Sequence, residues 1–331
     1  MHSSMKHSDK RREALRLSNL IDKALNAKDA MSISKVITLI EEDPGKLRKY
    51  FDRLFTGNSS SFVIGITGAP GVGKSSLINH MIKVLRKRGF SVAVVAVDPS
   101  SPYSGGSFLG NRVRVRTLDE RTFFRSMSTP PEEPLPWKAV LTMEFLCTVG
   151  FDYVLIEHPG AGQVNVKIMD LVDAVVVILQ PLMGDDIQAL KAGIMEIGDV
   201  YVLNKSDLPQ TELFAMQLKL ALEGVKRNGW VPPIIRTNSI NGDGVEGVVE
   251  AINDFLSYAR DTGLLDARRR RRREIETVEI ARTLIKEVYD NFLKTAPEAR
   301  RVINEVLEGG RDFLTGAYEL YEMFLNYLRK M

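Results

Sequence analysis

The chain carries helical periodicity at both ends and alternates between two periods in the middle. Over residues 8 to 55 apolar side chains recur every three or four positions: Leu15, Leu20, Ile21 and Leu25, then Val36, Ile37 and Ile40, then Leu47, Phe51 and Leu54. That spacing places them on one face of successive helices. From residue 60 to 258 short β-branched runs are separated by helical stretches. The predicted strands are Phe62–Thr67, Val92–Val97, Tyr153–Glu157, Ala174–Leu179, Val200–Leu203 and Ile234–Thr237. Such runs with helices between them predict a doubly wound α/β domain, its mostly parallel sheet covered on both faces. Residues 264 to 331 turn helical again. Val278, Ala281, Ile285, Val288 and Phe292 follow the alternating three-and-four spacing of a coiled-coil-like seam. A second stripe, Phe313, Ala317, Leu320, Tyr321, Phe324 and Leu328, follows the breaker Gly309-Gly310. The pattern divides the chain into a helical region (1–57), an α/β domain (58–260) and a second helical region (261–331).

Composition narrows the class without naming a function. With 331 residues, 44% hydrophobic and 26% charged, the chain can bury a large core. A net charge of +3 gives little reason to expect nucleic acid as a partner. No apolar run approaches the roughly 20 residues of a membrane helix. Met1 to Arg12 is polar and basic, unlike a secretory signal. The single cysteine, Cys147, excludes an internal disulfide and fits a reducing cytoplasm. It falls in the apolar stretch Leu141 to Val149 and reads as a buried structural thiol. Arg268 to Arg273 are six consecutive arginines. They read as a solvated helix start, offset by Glu274, Glu276 and Glu279, rather than as a base-stacking surface, because no aromatics are interleaved.

The chemistry is concentrated in Gly68-Ala69-Pro70-Gly71-Val72-Gly73-Lys74-Ser75, followed by Ser76. Every fixed position of a P-loop is present. Small residues let backbone N–H groups turn inward around phosphate, Lys74 reaches the outer phosphates, and the Ser75 hydroxyl suits Mg²⁺. A predicted strand enters the loop and a helix bearing Leu77, Ile78, Met81, Ile82 and Leu85 leaves it. The phosphates would therefore meet a helix N-terminus. About 130 residues later comes Asn204-Lys205-Ser206-Asp207, at the end of another strand. A carboxylate accepts the N1 and N2 hydrogens of guanine, and adenine has no such donor pair. Asn204 orients that loop and the Lys205 stem lies along the base. Asn238, Ser239 and Ile240, after the next strand, are expected to supply backbone contacts to guanine.

Three further segments should reach the phosphates. Asp98 follows one predicted strand and Glu157 closes another, at the carboxyl end of the sheet where ligands bind in open α/β folds, and both are candidate metal-side and catalytic carboxylates. Tyr103 to Arg116 is a Gly/Ser-rich loop suited to ordering around a γ-phosphate, with Asn111 a further candidate Mg²⁺ ligand. Gly160, after His158, can donate an N–H to the γ-phosphate. His158 itself reads equally as a packing residue or a catalytic one.

In this order, GAPGVGKSS, VAVDPSSPYSGGSFLGNRVRV, the strand ending in Glu157 with GAGQ, GDDIQALKAGIMEIGDVYVLNKSD and TNSINGDG resemble the MeaB/ArgK-type G proteins. The resemblance covers nearly the whole chain. It implies a P-loop NTPase G domain with an N-terminal helical region and a C-terminal dimerisation arm. It also implies a homodimeric, cytoplasmic GTPase that uses GTP and Mg²⁺. Such proteins chaperone adenosylcobalamin-dependent acyl-CoA mutases, chiefly methylmalonyl-CoA mutase, gating cofactor loading and protecting the mutase. Gly184 to Lys191 would be the loop through which the mutase stimulates hydrolysis, with Asp185 and Lys191 at its charged positions. Three departures fall on nucleotide-sensing elements. Asn111 stands where the family has Asp. His158 and Asn165 stand where it has Thr and Glu. Thr129 to Pro134 is a proline loop in place of a Gly-rich one. They bear on hydrolysis rate and mutase coupling, and they suggest the alternative of a GTP-binding regulator with little turnover. A nickel-insertion GTPase of related architecture is a further alternative, against which stands the lack of a His-rich or Cys-His segment.

Overall fold

The computed structural model describes residues 2–57, 60–99, 121–129, 137–158, 169–181, 196–224 and 227–330, with the backbone alone for 2–11, 98, 99, 129 and 330. The chain forms two compact units, Met1–Arg273 and Glu274–Met331.

The first unit is built on seven parallel strands: β1 (Phe62–Gly68), β2 (Val92–Pro99), β3 (Thr122–Thr129), β4 (Tyr153–Glu157), β5 (Ala174–Leu179), β6 (Val200–Leu203) and β7 (Ile234–Arg236). Their order across the sheet is β3-β2-β4-β1-β5-β6-β7, and every pairing is parallel. All strand carboxyl ends therefore share one edge. The order reverses about β1, so the crevice that binds ligands in such sheets opens beside the end of β1. The sequence pattern did not predict β3. Its Thr-Phe-Phe-Arg-Ser-Met-Ser-Thr run is mostly polar, and among its described side chains Thr122, Phe123 and Met127 are the buried ones on this edge strand.

Helices cover both faces. Beneath one lie α4 (Lys74–Lys87) and, later in the chain, α7 (Val245–Asp261). Leu77, Ile78, Met81, Ile82 and Leu85 of α4 pack with Val248, Ile252 and Phe255 of α7 and with the strands. On the other side α5 (Trp137–Val149) is apolar around almost its whole circumference. Its position explains that: it touches β2 and β4, and also α1 (His2–Asn26), α2 (Ala30–Glu42) and α3 (Phe51–Leu54). Cys147 of α5 is buried, as its neighbours in the sequence imply. The N-terminal helices dock through Ile21, Ala24, Ile33, Val36, Ile37, Ile40, Leu47 and Leu54. Leu15 and Phe51 share the predicted stripe but remain exposed. Polar ties hold this layer: Arg125 of β3 pairs with Glu41, Lys138 donates to the Glu41 carbonyl at 2.6 Å, and Lys28 donates to the Gly150 carbonyl at 2.7 Å. Between β6 and β7 lies α6 (Thr211–Ala221).

The arginine run corrects the sequence reading. Helix α8 (Leu264–Thr295) carries it directly after its first turn, and its residues up to Arg273 belong to the first unit. Arg268 makes two bonds to Asp199, at 2.7 and 2.8 Å. Arg269 makes two to Asp173, at 3.1 and 3.0 Å. Arg272 reaches Glu144 at 3.4 Å. Asp199 and Asp173 are 0% and 1% exposed. Spare guanidinium hydrogens cap carbonyls just before two strands, Arg268 on Asp173 and Arg269 on Ser61, and Arg273 caps that of Gly57 in the segment after α3. Ser61, Asp173 and Asp199 are the residues just before β1, β5 and β6. Asp173 also accepts the Val63 N–H, and Asp199 the Val175 N–H. The arginines thus form a comb across the amino ends of three adjacent strands, opposite the carboxyl-end crevice. Trp230 joins it by donating its indole N–H to the Asp199 carbonyl at 2.9 Å.

The second unit contains the rest of α8, α9 (Pro297–Leu307) and α10 (Phe313–Lys330). Its buried centre is small: Phe292, Ala299 and Phe324, bordered by Val288, Leu320 and Tyr327. Val278 and Ile285 of the predicted seam are exposed. So are Leu307, Phe313, Leu314, Tyr318 and Tyr321.

Candidate nucleotide site

The phosphate-binding half follows from β1 running into α4. Gly68 ends the strand at φ +153°, and a Cβ there would lie 2.3 Å from the Ile178 carbonyl. Gly73 caps α4 in the left-handed region at φ +99°, and a Cβ there would lie 2.3 Å from Asn204 Nδ2. Only glycine meets both demands. No side chain caps α4 and its first turn carries no acid. Its leading N–H groups are thereby left to an anion. Val72 is buried in the core and anchors the loop from beneath. Ala69, Pro70, Gly71 and Ser76 are exposed around it. Lys74 folds its ammonium onto the loop's own carbonyls, donating to Gly68 at 2.8 Å and Ala69 at 3.1 Å. Ser75 Oγ donates to Glu157 Oε1 at 2.8 Å. Two oxygen donors side by side at the phosphate end fit a hard cation such as Mg²⁺.

Glu157 closes β4, opposite Ile66 of β1 and Ala96 of β2. Asp98 lies two residues beyond Ala96 on β2, in register with Ser128. Both backbones therefore stand at carboxyl ends of neighbouring strands. His158 is buried, and its N–H donates to the Ile66 carbonyl at 3.0 Å. Asn111, Gly160, Asp185 and Lys191 lie outside the described residues.

The base-binding half hangs on Asn204, which is 1% exposed. Its Nδ2 donates to the Val72 carbonyl at 2.6 Å and to Ser239 Oγ at 2.8 Å. Its Oδ1 accepts from Thr237 Oγ1 at 3.0 Å and from the Ser239 N–H at 2.9 Å. One buried amide, satisfied at both ends, joins the phosphate loop to the two loops expected around guanine. The link to Val72 went unseen in the sequence, because 132 positions separate the partners. Lys205 adopts φ +57°, a strained value for a non-glycine residue. Asp207 is exposed. Its carboxylate accepts from Asn238 Nδ2 at 3.1 Å, and Asn238 Oδ1 accepts the Ile240 N–H at 3.0 Å. Ile240, 84% exposed, tips the loop.

Residues 33–293 match the family of methylmalonyl Co-A mutase-associated GTPases, MeaB. The chain belongs to the MeaB family. A Pyrococcus horikoshii protein described as a GTPase is 36% identical over 289 residues, covering 85% of this chain and 91% of its own. A probable GTPase of Mycobacterium tuberculosis is 31% identical over 296 residues, covering 86% and 87%. The mitochondrial methylmalonic aciduria type A homolog of Mus musculus is 32% identical over 282 residues, covering 80% and 67%. The crystal structure of a LAO/AO transport system kinase superposes with a TM-score of 0.66 at 22% identity, covering 93% of this chain and 97% of that one. The fold is that of a P-loop GTPase, which binds guanine nucleotide. Among the described residues no helix is long and apolar enough to cross a membrane.

Proposed function

We propose that this MeaB-family chain is a cytoplasmic, homodimeric GTPase that gates cofactor loading and protection of a B12-dependent acyl-CoA mutase, of the methylmalonyl-CoA mutase type. The observation that supports the GTP reading is the Asn204 junction, which ties the first residue of the Asn204-to-Asp207 motif to a P-loop whose helix carries no acid in its first turn. The mutase reading rests on family membership and on the methylmalonic aciduria type A relative.

Catalysis is positioning plus electrostatics, with no covalent intermediate. The α4 N–H groups and Lys74 bind and orient the phosphates. Lys74 leaves the carbonyls of Gly68 and Ala69 to do so. Ser75 and Glu157, with Asp98, would hold Mg²⁺, which neutralises charge developing on the phosphates. Glu157 lies within reach of Ser75 and orients it. Asn111 as a further ligand, Gly160 as a γ-phosphate donor, and Asp185 and Lys191 as the mutase-sensing pair belong to the same proposal. Hydrolysis is slow without the mutase, since His158 and Asn111 replace the usual residues of the sensing segments.

Exposed apolar residues on the small second unit support the homodimer. Val278, Ile285, Phe313 and Tyr318 have no partner within so small a core, and a second copy can cover them. Light scattering should give twice the monomer mass for the full chain and the monomer mass for a chain ending at Arg273. A dimer that survives that truncation removes the second unit from the interface.

Single-turnover GTP hydrolysis with and without the mutase tests the activity. Slow cleavage, accelerated by the mutase, is expected. No cleavage under either condition replaces the GTPase with a GTP-binding regulator. Asp207→Asn should weaken GTP by roughly 10²-fold or more and raise relative affinity for xanthosine triphosphate. Equal wild-type affinity for ATP and GTP would overturn the base assignment.

A further inference from the structure

The residues named so far meet the phosphates and the base. None of them meets the sugar, whose hydroxyls are the only hydrogen-bond donors in the middle of a nucleotide. The strand order indicates where a partner for them belongs. The phosphate loop leaves β1, the base motif leaves β6, and β5 lies between the two. The carboxyl end of β5 touches both. A Cβ at Gly68 would meet the Ile178 carbonyl at 2.3 Å, and the Leu179 carbonyl accepts the Asn204 N–H at 2.8 Å.

Gln180 is the next residue of the chain. Pro181 follows it and keeps it out of the helical region, so the alternation of the strand carries on through it. Ala174, Val176 and Ile178 pack with α4 and α7. Gln180 therefore falls on their face, the one on which the Asn204 amide reaches the phosphate loop. Its Oε1 is buried and has no hydrogen-bond partner among the described residues. Asn204 cannot supply one, because its amide hydrogens are engaged on Val72 and Ser239. A buried acceptor without a donor is costly and uncommon. Gln180 as a whole is only partly buried, and the terminal torsion of a glutamine is broad. A donor that enters the crevice can thus turn this oxygen toward itself.

We propose that Gln180 reads the sugar of the bound nucleotide, its Oε1 accepting a hydrogen bond from a ribose hydroxyl. The inference rests on the nucleotide reading of this crevice. Ionised phosphates offer no hydrogen, and the N1 and N2 hydrogens of guanine go to Asp207. The sugar hydroxyls are the ligand donors left for an acceptor set between the two loops. A site built around such a hydroxyl rejects an analogue that lacks it, because the acceptor then stays unpaired. Gln180 would make the chain select ribonucleotides over deoxynucleotides, a choice that neither the phosphate loop nor Asp207 can make.

The experiment measures equilibrium binding of GTP, 2′-deoxy-GTP and 3′-deoxy-GTP to the full chain and its variants, with thermal melting as a check on folding. The wild type should bind one of the two analogues roughly tenfold more weakly than GTP, as expected for the loss of one hydrogen bond. Gln180→Leu keeps the bulk and removes the acceptor. It should bring GTP down to the affinity of that analogue and leave the analogue nearly unchanged, so that the preference disappears. Gln180→Asn keeps the amide but withdraws it by one methylene, and should lose the preference even where the leucine variant fails to fold. Gln180→Glu keeps an acceptor at full reach and should retain the preference, whatever the added charge does to all three affinities. Equal binding of the three nucleotides by the wild type would overturn the inference. So would a Gln180→Leu chain that weakens all three by one common factor, which would leave Gln180 a structural role. A wild type without preference for GTP over ATP fails at the base instead. ATP and its two deoxy analogues then carry the same comparison, and equal affinity among those three would overturn the sugar reading in its turn.

Discussion

Single positions in this chain are fixed by close approach or by burial. Gly73 is the sharper case. A methyl group there meets Asn204 Nδ2 at 2.3 Å and Ser239 Oγ at 2.8 Å. The left-handed backbone adds strain of roughly 1–3 kcal/mol. Gly73→Ala should therefore weaken GTP binding by more than about tenfold in titration calorimetry. It strikes both halves of the site at once. Cys147 is the case of burial. Loss of water pushes its thiol far above the ordinary 9.0, and the nearby Glu144 adds to the rise. The folded chain keeps that proton while the unfolded chain loses it. The stabilising contribution is thus complete below pH 9 and lost as pH climbs past it. Tyr201, pushed up to about 12 by burial from an ordinary 10.0, acts in the same direction. Urea midpoints should decline above pH 9, and Cys147→Ala should flatten the first part of that decline. A midpoint constant from pH 8 to 11 would contradict this account. The thiol should also resist aromatic disulfide reagents until the chain unfolds.

At the level of elements, local pattern revealed what is local. The P-loop, its strand and its helix are adjacent in sequence, and their glycines and apolar spacing announce them. β4, β5 and β6 read correctly because buried parallel strands are apolar almost throughout, with Glu157 as the charged end of β4. β3 escaped because an edge strand tolerates polar residues on its open side. The arginine comb escaped for a different reason. Its acids sit 69 and 96 positions away, each just before a strand. Six consecutive charges look solvated until those partners are known. The comb also differs from a surface ion pair, because Asp199 and Asp173 are buried. Removing one guanidinium leaves a buried carboxylate uncompensated, which costs roughly 3–5 kcal/mol. Arg268→Met should lower the urea-unfolding free energy by about that amount, whereas Arg270→Met, at an exposed position, should change it by less than about 0.5 kcal/mol. Equal effects at the two positions would mean the comb contributes nothing specific.

For the whole molecule, the comb decides where the nucleotide-binding unit ends. The compact unit runs to Arg273, beyond the last strand and α7. A chain ending at Tyr258 deletes every tooth of the comb and strands two buried aspartates. A chain ending at Arg273 retains them. The longer form should melt cooperatively and bind GTP with wild-type affinity, and the shorter should melt well below it. The comb has an optical consequence too. The protein contains two tryptophans. Trp137 is buried within α5, while Trp230 is tethered to the carbonyl of Asp199, the acid that Arg268 grips. Trp137→Phe therefore leaves a chain whose tryptophan emission comes from Trp230 alone, beside the acid that the start of α8 grips. During denaturation that emission should shift together with the far-ultraviolet dichroism, because freeing the comb exposes two carboxylates the fold keeps dry. A colour change that runs ahead of the dichroism would reveal α8 peeling from the sheet as a separate event. The protein thus holds its own fluorescent gauge of how the arginines at the start of α8 grip the amino ends of the strands.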